Sequence, residues 1–114
     1  IRAIREAKGV PVLAHPGEWF TKEDEAKIPR MLECGLQGME VYTPYHSVEK
    51  EVYFKQLAEK YGLFQTAGSD YHDDQKKPGH VMGMIKAADM EMFFRLKQMI
   101  ETAHAEEKTA CRRN

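Results

Sequence analysis

The stretch "LFQTAGSDYHDD", residues 63–74, runs from an apolar segment into a dense polar cluster, and its reading decides how the chain folds. Leu63 to Ala67 is short and mainly apolar and lies between two glycines, the profile of a strand. The cluster behind it holds Ser69, Asp70, His72, Asp73 and Asp74. Turn chemistry accounts for small polar side chains there, but it has no need of aspartate and histidine at i and i+2. At a strand end that spacing turns both side chains to the same side. The stretch is therefore either a solvated loop or one wall of a metal site.

Two earlier segments repeat the plan. "VPVLAHP", residues 10–16, is a brief valine-rich strand that ends at His15 before a proline. Helical sequence follows to Gly35, with Thr21 as a cap and Pro29 splitting it into two pieces. Gly38 to Tyr42 is the second strand, and a helix capped by Ser47 follows it. Ser47 with Lys50 is no capping box, although Glu49 and Glu51 suit the positive end of that helix. Beyond the third strand, "VMGMI" at 81–85 is predicted as a short extended piece. Residues 89–104 then form a helix with Phe93, Leu96, Ile100 and Ala103 on its inner stripe. A frayed polar tail is predicted over 104–114.

Strands alternating with helices predict right-handed βαβ units around a parallel sheet, an α/β fold. In such sheets ligands bind beyond the carboxyl ends of the strands. His15 with Pro16, Glu40 through His46, and Ser69 through Asp74 all fall there. Taken singly, His15 reads as a core histidine, Asp70 as a cap, His46 as a helix opener and His72 as solvated. His80, His104 and the run Asp73, Asp74, Lys76 and Lys77 read as surface, and Met82, Met84, Met90, Met92 and Met99 as core filler. Trp19 and Tyr45 suit pocket lining and packing equally. Taken together, imidazole and carboxylate on one rim are ligands for zinc, manganese or iron, and the rim has no thiolate for a sulfur-rich structural zinc site.

Size and charge narrow the function classes. The chain has 114 residues, with 17 lysines and arginines against 18 acidic residues and a net charge of −1, so it lacks the basic footprint of a duplex-binding or membrane-surface protein. Cys34 and Cys111 lie far apart and read as ordinary thiols in a reducing compartment. No segment has the roughly 20 apolar residues of a membrane span, and the expected location is cytoplasmic. "IRAIREAKG", residues 1–9, reads as the inside of a helix, as though the chain were a piece of a longer protein.

"VLAHPGEW", "GLQGMEVYTPYHS", "LAEKYGLFQTAGSDYH" and "KKPGH" resemble, in order and spacing, the second half of the polymerase and histidinol phosphatase (PHP) domain, nearest to the stand-alone PHP phosphoesterases. The resemblance covers residues 1–103, and Tyr71 replaces the usual phenylalanine of the family's "GSDFH" motif. It implies the C-terminal part of a distorted (β/α)7 barrel carrying two or three divalent ions, manganese, zinc or iron. The implied activity is hydrolysis of phosphate esters, either small monoesters or nucleotide and oligonucleotide ends. His15, Asp70 and His72 match metal ligands of that family. His46 is expected beside the substrate phosphate as a protonated catalytic group, with Ser47 helping to bind the phosphate, and Glu40 is expected to orient a neighbour. The family's first half, with its His-x-His motif and further ligands, is absent from these residues. The chain alone is therefore expected to bind metal weakly, to be inactive, and to self-associate or pair with its missing N-terminal half. The alternative is a PHP module that binds or holds other parts together without catalysis.

Overall fold

The computed structural model describes residues 1–86 and 89–111, with 106–111 as backbone alone. Helix α1 (Arg2–Glu6) leads to strand β1 (Val12–Leu13). Two 3-10 turns, Pro16–Glu18 and Glu23–Lys27, precede helix α2 (Ile28–Glu33), so the segment around Pro29 is broken as its sequence predicts. Strand β2 (Gly38–Tyr42), helix α3 (Val48–Lys60), strand β3 (Phe64–Ala67) and helix α4 (Met90–Cys111) complete the order.

The three strands form one parallel sheet in the order β1-β2-β3, with Leu13 opposite Met39 and Met39 opposite Gln65. Gly38 begins the central strand because a Cβ there would stand 3.0 Å from both the Phe64 carbonyl oxygen and a Val12 methyl. Alternation along β2 sends Met39 and Val41, both fully buried, to one face, where Ile28, Leu36, Phe54, Leu57 and Ala58 pack on them. Glu40 and Tyr42 turn to the other face. Helix α3 starts where Ser47 Oγ accepts the Lys50 amide at 3.3 Å, and it ends at Gly62, whose φ of +63° is a left-handed value that glycine adopts without strain.

The parallel α/β arrangement is as read from the sequence, and the described strands form an open sheet. Four local expectations are corrected. Residues 81–85 form a turn and irregular backbone rather than an extended piece, the Met84 amide donating to the Val81 carbonyl, and they join no strand of the described sheet. Helix α4 continues to Cys111 past the predicted tail boundary at 104, because alanine, glutamate and lysine, which dominate that stretch, are strong helix formers. The Cys111 thiol and residues 112–114 lie outside the described residues. On α4, Phe93 and Ile100 are exposed rather than inward, and Met82, Met84 and Met90 are surface residues rather than core filler.

Helix α4 is held only lightly to the sheet and to α3. Arg95 lies over the Phe64 ring at 5.3 Å, and an open cleft of about 510 Å³ separates the helix from β3 and the end of α3. The radius of gyration is 15.7 Å, against roughly 13 Å for a compact domain of this length. The firm core thus lies between the sheet and helices α2 and α3. Phe54 is its pivot, 2% exposed and touching the rings of Phe20, Tyr53 and His46. Phe54→Ala is expected to cost about 3–5 kcal/mol in urea unfolding. A loss below about 1 kcal/mol would place the core elsewhere.

Candidate functional site

At the end of β1 the chain turns sharply at His15, whose φ of +28° lies in the left-handed region that a non-glycine residue seldom adopts. Three bonds hold the turn. The His15 amide donates to Glu40 Oε2 at 2.7 Å, the Gly17 amide donates to His46 Nε2 at 2.9 Å, and Lys50 Nζ donates to the Gly17 carbonyl at 2.7 Å. Gly17 has no room for a side chain, since a Cβ would collide with the His46 ring. Glu40 performs the orienting role expected of it. Its carboxyl pKa is raised, because burial outweighs the bond from the His15 amide. Gly68, in the loop after β3, is constrained by the same carboxylate, for a Cβ there would overlap Glu40 Oε1.

Asp70, after β3, is also in the left-handed region, with φ +50°, as is Lys8 away from the rim. Such strain costs on the order of 1–3 kcal/mol and concentrates at functional sites. Asp70 Oδ2 accepts the Tyr45 hydroxyl at 2.6 Å and Lys77 Nζ at 3.0 Å. The bonds from Tyr45 and then Lys77 hold the Asp70 carboxyl down to a pKa of about 2, so it is ionised throughout the neutral range. His72 Nδ1 is 2.9 Å from the Asp70 carbonyl oxygen and 3.6 Å from Asp70 Oδ1. Tyr45 joins the clusters, its ring edge-on to His15 at 5.3 Å and to His80 at 5.0 Å. Both of those imidazoles carry a buried Nδ1 without a hydrogen-bond partner.

No family model matches the chain. It is 37% identical over 81 residues to the phosphoribosyl 1,2-cyclic phosphate 1,2-diphosphodiesterase of Eggerthella lenta, a match covering 71% of this chain and 30% of that protein. Over 68 residues it is 35% identical to the 3',5'-nucleoside bisphosphate phosphatase of Chromobacterium violaceum, covering 58% of this chain and 24% of that protein. Its fold superposes on a candidate metal-dependent phosphoesterase from Bifidobacterium adolescentis with a TM-score of 0.73 and 26% identity, over 86% of this chain and 34% of the other. These relatives and neighbours support a PHP-type family for the chain. A further structural neighbour, an amidohydrolase of Chromobacterium violaceum holding sulfate and no metal, gives a TM-score of 0.67 and 28% identity over 82% of this chain and 34% of the other. The chain thus spans about a third or less of the relatives it matches.

Against the PHP expectations the structure gives a mixed result. The donor types fit a divalent ion: Asp70 is a standing anion, and His15 carries an orphaned buried nitrogen. The gathering predicted for His15, Asp70 and His72 is not seen, for among the described residues no three histidine, cysteine or acidic side chains stand close enough to share an ion. The physical reason is that Asp70 is turned to Tyr45 and Lys77. Ser47 spends its hydroxyl on the first turn of α3.

His46 is also corrected. Its Nδ1 donates to the Val41 carbonyl at 2.6 Å, its Nε2 accepts from Gly17, and the ring stacks on Phe54 at 4.7 Å. Both nitrogens are used within the fold, so the ring is a neutral strut rather than a protonated group facing phosphate. Sequence reasoning also missed Lys77 and His80, taken for surface residues, and left Tyr45 undecided. The signal for them was Pro78-Gly79, a turn pair able to fold the segment after Asp70 back onto the rim.

Burial pushes the His46 pKa below its ordinary 6.5, outweighing the bond to Val41 that acts in the other direction. The folded state then binds fewer protons here than the unfolded chain. This contribution to stability is present above pH 6.5 and is lost as pH falls through the lowered folded value. Urea midpoints at about pH 7.5 and about pH 5 should show a larger acid loss for the wild type than for His46→Gln, which keeps a donor and an acceptor but does not titrate. Equal losses would mean that the imidazole is not held neutral.

Proposed function

We propose that the protein carrying this chain is a divalent-metal-dependent phosphoesterase whose strand-end residues His15, Asp70 and His72 are metal ligands, the remaining ligands coming from a segment outside these residues. The observation that carries the reading is Asp70, ionised, strained and set after β3 within the family's "GSD-x-H" pattern. His15 supports it through its orphaned nitrogen and its left-handed turn at the end of β1. Bound ions of this kind bring a water molecule toward hydroxide near neutral pH and neutralise phosphoryl charge. The chain's own contribution is to hold its ligands. Glu40 fixes the His15 backbone, and His46 and Lys50 clamp the peptide at Gly17. Ser47 anchors α3 behind them. In this reading His46 and Ser47 position the rim rather than meet the phosphate.

The substrate is a small phosphate ester, a class that includes the cyclic phosphate and nucleoside bisphosphate named for the two relatives. The 114 residues by themselves bind metal weakly and turn over little. The test is phosphate release from a 3',5'-nucleoside bisphosphate by the full-length protein with Mn²⁺. Asp70→Asn should lower kcat/KM by about 10²-fold or more and reduce bound metal. Activity that survives both chelation and Asp70→Asn would remove the metal-dependent reading. A full-length protein that binds metal yet hydrolyses no phosphate ester would favour the non-catalytic module.

A further inference from the structure

Lys77 and Lys76 are adjacent but differently placed. Lys76 is 74% exposed and lies 3.6 Å from Asp73, whereas Lys77 is 36% exposed and reaches back to Asp70. The fold delivers it there. Asp73 Oδ1 accepts the amides of Gln75 and Lys76 at 2.9 and 2.6 Å, the Lys77 amide donates to the Asp73 carbonyl, and the His80 amide donates to the Lys77 carbonyl. These turns carry the Lys77 ammonium onto Asp70 Oδ2 and the Tyr45 hydroxyl, 4.7 Å from the Tyr45 ring centroid. Asp70 Oδ2 thus has two donors already, and one is a full positive charge.

We infer that Lys77 is an internal counter-cation for Asp70, which occupies the carboxylate while no divalent ion is bound and must leave when one binds. This rests on the metal role proposed for Asp70 and deepens it. An ammonium and a divalent ion cannot both sit on one carboxylate oxygen, since their like charges repel strongly at that range. Metal therefore binds the fraction of molecules in which Lys77 has left, and its apparent affinity falls by that fraction. Residues 71–80 become the part of the site that moves. The released ammonium stays beside the rim as a point charge suited to a phosphoryl oxygen.

The test uses the full-length protein, Mn²⁺ as the probe, and a short pulse of acetic anhydride with the lysines read by mass spectrometry. Without metal, Lys77 should be acetylated several-fold more slowly than Lys76. Saturating Mn²⁺ should speed Lys77 and leave Lys76 unchanged. In calorimetry, Lys77→Met should bind Mn²⁺ roughly fivefold more tightly than the wild type, and Lys77→Arg should not. The inference is overturned if Mn²⁺ leaves Lys77 acetylation unchanged, or if Lys77→Met gains no affinity, including the case in which neither protein binds. Asp70→Asn separates the two failures. If that variant binds Mn²⁺ as tightly as the wild type, the metal role of Asp70 falls and the inference falls with it. If it loses Mn²⁺ while Lys77→Met gains nothing, the metal role stands and the counter-cation does not.

Discussion

The bond from the His15 amide to Glu40 Oε2 ties the end of β1 to the central strand, and the arrangement of the rim depends on it. β1 pairs over two residues, too short a ladder to fix the direction in which the chain leaves the sheet. A half-buried carboxylate on the neighbouring strand supplies the constraint. It holds a backbone turn that histidine would not adopt unaided, and it leaves the His15 ring against Tyr45. The same carboxylate excludes a side chain at Gly68, so one group on β2 shapes the loops on both sides of it. That is the economy of a parallel sheet: a residue at the end of the central strand reaches both neighbours.

The rim divides into a fixed part and a responsive part. The fixed part is the β1 side, where Glu40, His46 and Lys50 hold the peptide from His15 to Gly17, and where the His46 ring joins that clamp to the core through Phe54. The responsive part, on the inference drawn for Lys77, is the segment after β3, where Asp70 is satisfied by the Tyr45 and Lys77 side chains of two different loops rather than by the backbone of the sheet. Tyr45 spans the two. Under the proposed metal role, this gives a fixed wall on one side and exchangeable partners on the other.

Much of the fold was legible because its signals are local. The alternation in Gly38–Tyr42, the split at Pro29 and the cap at Ser47 each rest on near neighbours in the chain. The errors arose where partners are distant. Residues 81–85 look like a strand but join none of the described sheet, and the α4 stripe was misjudged because helix periodicity does not say which face meets the protein. At the site, residue type identified Asp70 and His15 as unusual but could not show that Lys77, seven positions on, would claim the carboxylate. Nor could it show that both nitrogens of His46 would be spent on backbone. Competition between partners for one group is a tertiary property.

The account turns on whether the strand-end residues are metal ligands, and anomalous diffraction from crystals of the full-length protein grown with Mn²⁺ tests that most directly. Manganese peaks are expected within about 2.0–2.4 Å of donor atoms on Asp70, His15 and His72, with Lys77 displaced from Asp70. Manganese bound elsewhere, with Asp70 still paired to Lys77 and Tyr45, would contradict the metal-ligand role.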